Sequence, residues 1–238
     1  MIGWIVPPPK PPTKTPQEFA QERQAKVREL RAQGFLRSPR LQAAMAKVRR
    51  EEFIPELYRD YAYLEVPLPL PGEATISCPH SYPLFYEALE LAPGQRFLEV
   101  GSGSGYGAAL AWEVVRPSGL VVTIEIASDT LAFAQDNLWR LGYLQVVIVP
   151  GDGSQGYPRL APYDRICFTA AAPLVPPPLM EQLALGGRLI GPVGKPGQVQ
   201  DLVLVVRKGP RQWQQRILEK VAYIPLRGRY GYPNGILF

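Results

Sequence analysis

Apolar residues recur along this chain at two different periods, and the stretches obeying each period alternate. Between residues 16 and 48 the period is helical. Phe19, Val27 and Leu30 share one face, and Leu41, Ala44, Met45 and Val48 share another. Thr15, Pro16 and Glu18 form a helix start, with a hydroxyl cap, proline at the first position and a carboxylate three residues after the cap. Gly34 marks the stop, and Ser38-Pro39 opens a second helix. Arg49 to Glu52 and then Phe53-Ile54-Pro55 lead into a short turn around Leu57 and Tyr58. Prolines interrupt residues 65 to 83, which predicts loop, and a helix follows from Tyr82 to Leu91. Short apolar runs come next: Phe97 to Val100, Leu120 to Ile126, Val146 to Val149, Arg165 to Thr169 and Arg188 to Ile190. They read as strands, spaced by helices that begin at Tyr106, run from a Ser128 cap through Leu141, and cover Pro176 to Leu185. Leu202 to Arg207 and part of Trp213 to Ile224 add a hairpin-like pair. The alternation predicts an α/β fold whose seven-stranded sheet is mostly parallel, with an N-terminal helical cap.

Composition narrows this picture without redirecting it. The 238 residues suffice for one α/β unit with an added segment. They divide into a proline-rich arm (1–16), the helical cap with a loop (17–91), and the sheet core with its closing strands (92–238). The arm reads Pro7-Pro-Pro-Lys-Pro-Pro-Thr-Lys-Thr-Pro16, which packs as neither helix nor sheet and is expected to be solvated. The net charge of +5 is spread among interleaved acids, so it reads as a solvated basic surface and no nucleic-acid partner is expected. Cys78 and Cys167 form no CxxC or Cys/His cluster, which predicts no metal site and no disulfide framework. No apolar run reaches the ~18 residues of a membrane span, and Met1 to Val6 is too short for a signal peptide. A cytoplasmic monomer without a membrane partner is the expectation.

The candidate chemistry centres on residues 96 to 106, Arg-Phe-Leu-Glu-Val-Gly-Ser-Gly-Ser-Gly-Tyr, a strand that passes through a glycine turn into a helix. Such a turn lets backbone approach a bulky ligand, although a tight turn with no ligand has the same form. A dinucleotide fingerprint would need its third glycine at the position of Tyr106. The observed G-x-G-x-G preceded by Glu99 resembles the first motif of Rossmann-like class I S-adenosylmethionine-dependent methyltransferases. Glu125 ends the next strand, where a carboxylate can accept both hydroxyls of a ribose. Gly151-Asp152-Gly153-Ser154 ends the strand after that, placed to meet an adenine.

Four stretches together resemble the protein-L-isoaspartate (D-aspartate) O-methyltransferase family, over about residues 20 to 227. They are Ala74-Thr-Ile-Ser77-Cys-Pro-His80, Leu98 to Tyr106, Gly151 to Ser154, and Thr169-Ala-Ala-Ala-Pro173. Arg49 to Pro55, Gly186 to Gly194 and Tyr223-Ile-Pro-Leu226 add support. The resemblance implies S-adenosyl-L-methionine as cofactor and isoaspartyl residues of damaged proteins as acceptors. The methyl ester formed on the free α-carboxylate would collapse to a succinimide and begin repair. It also implies Ser77 as the active-site residue with Thr75 beside it, and Ala74 and Ile76 as a wall against the cofactor. His80 would lie near cofactor and substrate. Gly101, Ser102, Gly103, Ser104 and Gly105 would wrap the methionine part behind Glu99, Glu125 and Ile126 would meet the ribose, and Asp152 and Gly153 the adenine. Departures from the family pattern fall at Ser81, at Leu70-Pro-Gly-Glu73 and at Arg227, and bear on acceptor preference.

A carboxylate acceptor is already ionised at neutral pH and needs no general base. The missing Ser-His-Asp order and paired carboxylates therefore agree with this chemistry. Each residue keeps a structural alternative: Ser77 as a helix cap, His80 as a satisfied structural histidine, Asp152 as an Asx turn, Glu125 as a strand-end charge and Glu99 as a loop support. Two other functions fit the same motifs. One is a carboxyl methyltransferase for ordinary aspartate in a dedicated peptide, and the other a non-catalytic cofactor-binding adaptor recruited through the arm.

Overall fold

The computed structural model describes residues 6–232. Helix α1 (Pro16–Ala32) starts with the expected capping box, in which Thr15 N–H donates to Glu18 Oε2 (2.7 Å) and Glu18 N–H to Thr15 Oγ1 (3.3 Å). Phe19, Val27 and Leu30 are its buried face. In α2 (Pro39–Lys47) the Ser38 side chain makes no cap bond; the Arg37 and Ser38 N–H groups donate instead to Glu87 Oε1. Two short 3-10 turns, Arg50–Phe53 and Glu56–Tyr61, complete the cap.

The arm forms neither helix nor strand and stays largely exposed, as expected, but it is docked on the cap. Over its described residues it lies against the second of these turns, with Lys10 N–H donating to Leu57 O and Tyr61 Oη to Pro8 O. Its anchor is Asp60, a buried carboxylate that accepts from the Thr13 N–H and hydroxyl and pairs with Lys10 Nζ at 3.0 Å. Burial works to raise the Asp60 carboxyl, but these donors outweigh it and hold it far below the usual range. A proline-rich segment needs no ladder of its own when a buried carboxylate collects its few N–H groups. Residues 1–5 lie outside the described residues.

One correction concerns residues 65 to 83. Within this expected loop, β1 (Leu68–Leu70) and β2 (Ala74–Ile76) form an antiparallel ribbon in which Pro69 faces Thr75. A two-stranded ribbon has edges on both sides, so a proline without an N–H is tolerated there. Helix α3 (Ser81–Leu89) follows.

The main sheet then builds as β3 (Arg96–Val100), α4 (Tyr106–Val115), β4 (Leu120–Glu125), α5 (Ser128–Arg140), β5 (Val147–Pro150), β6 (Tyr163–Phe168), α6 (Pro177–Glu181), β7 (Leu183–Val193), β8 (Gln200–Gly209) and β9 (Gln212–Val221). Its order is β5-β4-β3-β6-β7-β8-β9, parallel through β7 and antiparallel in the last two pairings. Seven strands, mostly parallel, with a closing hairpin agree with the sequence pattern. Alternation sorts the core: Phe97, Val121, Cys167 and Ile190 pack on the face with the cap, whereas Leu98, Val122, Ile166 and Leu189 pack on the other.

Among the boundaries that differ from expectation, two have a visible cause. Ser128 is the first helical residue of α5 and caps nothing; Ala127 takes the cap position with no side-chain bond. Helix α6 ends at Glu181, because Leu183 already pairs with Tyr163 as β7 begins.

Candidate active site

The carboxyl ends of β3 and β6 meet where the chain order reverses, the usual position of a ligand crevice in an open α/β sheet, and β4 flanks β3 beside it. The glycine loop fills this position. Gly101, Gly103 and Gly105 hold φ angles of +94°, +53° and +84°, so the alternate glycines are a demand of the backbone itself. Ser102 and Ser104 are buried behind the loop, and the Ser104 carbonyl accepts from Asn137 Nδ2.

The cleft under this loop gathers most of the residues expected there. Ala74, Thr75, Ile76 and Ser77 form one wall; Glu99, Gly101, Ser102, Gly103 and Ser104 the floor; Glu125, Ile126 and Gly153 the far end. Gly105 shapes the turn without lining it. Residues 224 to 227 cover the cleft, held by Ala171 N–H donating to Ile224 O (2.7 Å) and Leu226 N–H to Ala171 O (2.8 Å). Apart from the departure at Arg227, the sequence pattern assigns no role to this roof, nor to Thr169 and Tyr82. Its signals were Thr169-Ala-Ala-Ala-Pro173 and Tyr223-Ile-Pro-Leu226, motifs that carry no chemistry on their face.

Glu125 braces the loop. Its Oε2 accepts from Gly103 N–H (3.1 Å) and its Oε1 from Ile126 N–H and Ala127 N–H (2.9 and 3.1 Å). A carboxylate offers about four lone pairs, so Oε2 keeps capacity for a further donor from the cleft. Asp152 does not line the cleft. Its oxygens accept from Ser154 N–H, the Ser154 hydroxyl, Gln155 Nε2 and Arg229 N–H, which ties the chain beyond the roof to the end of β5. Burial works to raise its carboxyl, and these donors hold it below the ordinary range.

Glu99 lies at the base of the cleft, fully buried against α4, where a Cβ on Gly107 would stand 2.1 Å from its Oε1. Burial pushes its carboxyl up to about 8, against the hydrogen bond from Thr123 and with the charge of Glu125 adding to the rise. Thr123 Oγ1 lies 2.8 Å from both Glu99 Oε2 and Ser102 Oγ, so it donates to one and accepts from the other. The folded form thus keeps a proton that the unfolded chain, near its ordinary 4.5, has already released. Stability from this group is greatest at or below that unfolded value, falls as pH rises toward about 8, and levels off above it. Glu99→Gln removes the titration. Thermal melts of the ligand-free protein are expected to show the variant several degrees above the parent at pH 8, with the two converging toward pH 4.5. Parallel melting curves across that range would refute the assignment.

A second cavity adjoins the first, and Thr75, Ser77, Thr169 and Ile224 border both. His80, Ser81, Leu84, Lys220 and Tyr223 line its outer part. His80 therefore stands in this neighbouring cavity and does not line the glycine-loop cleft. Its Nδ1 lies 2.7 Å from Glu65 Oε2, and Lys26 Nζ lies 3.2 Å from Glu65 Oε1. Burial opposes ionisation of Glu65, but the His80 and Lys26 partners hold its carboxyl below the usual range. Cys78 joins this pair to bring carboxylate, thiol and imidazole within 4.8 Å of one another. The Lys26 ammonium opposes a cation there, and burial pushes the Cys78 thiol up to about 11, away from the ligating thiolate.

The donor set suits an S-adenosylmethionine-type ligand. Backbone stands open where an amino-acid tail would lie, Glu125 has spare acceptor capacity for a ribose hydroxyl, and Ile124, Ile126 and Leu226 offer apolar surface for a base.

The family model for protein-L-isoaspartate(D-aspartate) O-methyltransferase matches residues 21–231. A protein-L-isoaspartate O-methyltransferase of Methanothermobacter thermautotrophicus is 42% identical over 211 residues, covering 89% of this chain and 97% of the relative. The protein of the same name in Korarchaeum cryptofilum is 45% identical over 215 residues, covering 87% and 97%. Among solved structures, one protein-L-isoaspartate O-methyltransferase superposes with a TM-score of 0.81 at 34% identity, over 88% of this chain and 67% of the other. Another, described as a beta-aspartate methyltransferase from Plasmodium falciparum in complex with S-adenosyl-L-homocysteine, gives 0.75 at 25% identity, over 86% and 98%.

Proposed function

Since the chain belongs to the protein-L-isoaspartate(D-aspartate) O-methyltransferase family, we propose that it performs that family's reaction with the residues gathered at the two adjoining cavities. It is an S-adenosylmethionine-dependent enzyme that methylates the free α-carboxylate of L-isoaspartyl residues, initiating repair through a succinimide. The observation that carries the assignment of roles is the shared wall: Thr75 and Ser77 border both the cleft under the glycine loop and the cavity beside it.

Bound S-adenosylmethionine supplies an electrophilic methyl group on a sulfonium. Ser102, Gly103 and Ser104 hold its amino-acid part, Glu125 a ribose hydroxyl, and Ile126 and Gly153 the base. Asp152 acts on the site by fixing the closing segment, and His80 belongs to the acceptor side. Ser77, with Thr75, donates hydrogen bonds to the acceptor carboxylate and orients it. A neutral hydroxyl suits that task, because it holds an anion without the tight ion pair that would blunt its nucleophilicity. Orientation of this kind is worth up to ~7–11 kcal/mol in well-aligned reactions. Residues 224 to 226 exclude water from the reacting atoms.

No described helix is long and apolar enough to cross a membrane. The buried free thiols Cys78 and Cys167 fit a reducing compartment, so a cytoplasmic setting completes the proposal. A single chain supplies floor, wall and roof of the cleft, which fits a monomer.

The test is methyl transfer from labelled S-adenosylmethionine to two synthetic peptides that differ only in isoaspartate against aspartate. Label is expected on the isoaspartyl peptide alone. Transfer to the aspartyl peptide would move the acceptor assignment to ordinary aspartate, and label on neither, with cofactor bound, would overturn it.

A further inference from the structure

Arg50 is 1% exposed and lies in the helical cap, away from every surface of both cavities. A buried guanidinium is costly unless its charge is paired, and no carboxylate of the described residues lies within ion-pair distance of this one. The adjacent Glu51 is spent on Arg23, at 2.7 Å, and on the Tyr63 hydroxyl. Arg50 instead uses its donors on two backbone carbonyls far apart in the chain. Its Nε donates to Ala62 O (2.6 Å) and its Nη2 to Ser77 O (2.7 Å), while Nη1 has no acceptor among the described residues. The guanidinium also sits 5.7 Å from the ring centre of Tyr82 and 5.2 Å from that of Tyr106. Tyr82 lines the cofactor cleft, and Tyr106 is the first residue of the helix that leaves the glycine loop. One buried cation therefore touches the cap, the acceptor loop and the start of α4.

We infer that Arg50 is a positioning residue for methyl transfer: its bond to the Ser77 carbonyl, with the two flanking tyrosine rings, sets where the Ser77 hydroxyl stands on the wall between the two cavities. The inference rests on the role proposed for Ser77. Its physical basis is the fork geometry of the guanidinium. Two N–H groups at fixed separation hold the Ala62 and Ser77 carbonyls in one relative position, which fixes the peptide plane that carries Ser77. A lysine keeps the charge and can reach one carbonyl, but it cannot reproduce the fork.

The test is a double-mutant cycle with R50K and S77A, reading kcat for an isoaspartyl peptide and the dissociation constant of S-adenosylhomocysteine. In the parent background R50K is expected to lower kcat about tenfold, since small displacements of a positioning group are costly, and to leave S-adenosylhomocysteine affinity within about threefold. In the S77A background the same change should alter kcat less than about twofold, because the hydroxyl it positions is gone. Equal fold losses in both backgrounds, or affinity falling in step with kcat, would assign Arg50 to general stability and overturn the inference. Parental kcat in R50K would overturn it as well, and R50M, which removes both carbonyl bonds, checks that result. The S77A protein alone tests the underlying reading: full kcat there refutes the role of Ser77 whatever Arg50 does.

Discussion

Replacing Ser77 by alanine is expected to lower kcat for an isoaspartyl peptide by about 10- to 100-fold, while S-adenosylhomocysteine binds within about threefold of the parent. The expectation follows from where the residue stands. Ser77 borders both cavities, while the cofactor side of the cleft is built mainly by the glycine loop, Glu125 and the covering segment. On the proposed roles, loss of one hydroxyl leaves the cofactor's partners in place and removes a donor from the acceptor carboxylate. The backbone there is held independently by Arg50, so alanine should not displace the loop. Steady-state kinetics on a defined peptide, paired with calorimetric titration of S-adenosylhomocysteine, separates the two effects. An unchanged kcat would remove Ser77 from the chemistry, and a collapse of cofactor affinity would reassign it to the cofactor side.

Gly101→Ala should damage the opposite side. A Cβ at this position would stand 2.6 Å from Thr169 Oγ1, at a φ of +94° that L-residues rarely adopt. Thr169 has little freedom to yield, because its hydroxyl lies 3.2 and 3.0 Å from the Val100 and Gly101 carbonyls and its N–H donates to Val100 O. The strain is of order 1–3 kcal/mol, and the loop that moves to relieve it is the floor of the cleft. We expect S-adenosylhomocysteine affinity to fall more than about tenfold and methyl transfer to be nearly lost, with the melting temperature lowered by several degrees. The double variant Gly101→Ala/Thr169→Ala removes the collision and keeps the backbone demand, so it should recover only part of the affinity. Parental binding in the single variant would show that the loop's glycines are dispensable for the ligand.

Much of this arrangement is legible in the amino-acid sequence. The glycine loop and Glu125 declare themselves because each answers a local demand: positive φ at alternate positions, and a carboxylate at a strand end facing that turn. The ribbon that carries Thr75 is not legible, since prolines at 67, 69 and 71 argue against a strand. They are tolerated because the ribbon's partners are only each other. Ser128 misleads for a related reason. Glu125 already accepts the N–H groups at 126 and 127 leading into α5, and the serine cap is not used.

Periodicity and turn chemistry in the sequence determined the order of strands and helices, the mostly parallel sheet with its closing hairpin, and the glycine loop at its switch point. These rest on forces acting between neighbours in the chain: alternation of apolar positions, caps, and backbone angles open only to glycine. Only the tertiary structure decided that Asp152 fixes the closing segment, that His80 pairs with Glu65 in the second cavity, that Asp60 anchors the arm, and that Arg50 reaches across 27 residues to the Ser77 carbonyl. In each of these a charged or polar side chain bonds a group remote in sequence. Such a partner is chosen by burial, which makes an unpaired polar group costly, and by whatever the fold has brought within reach.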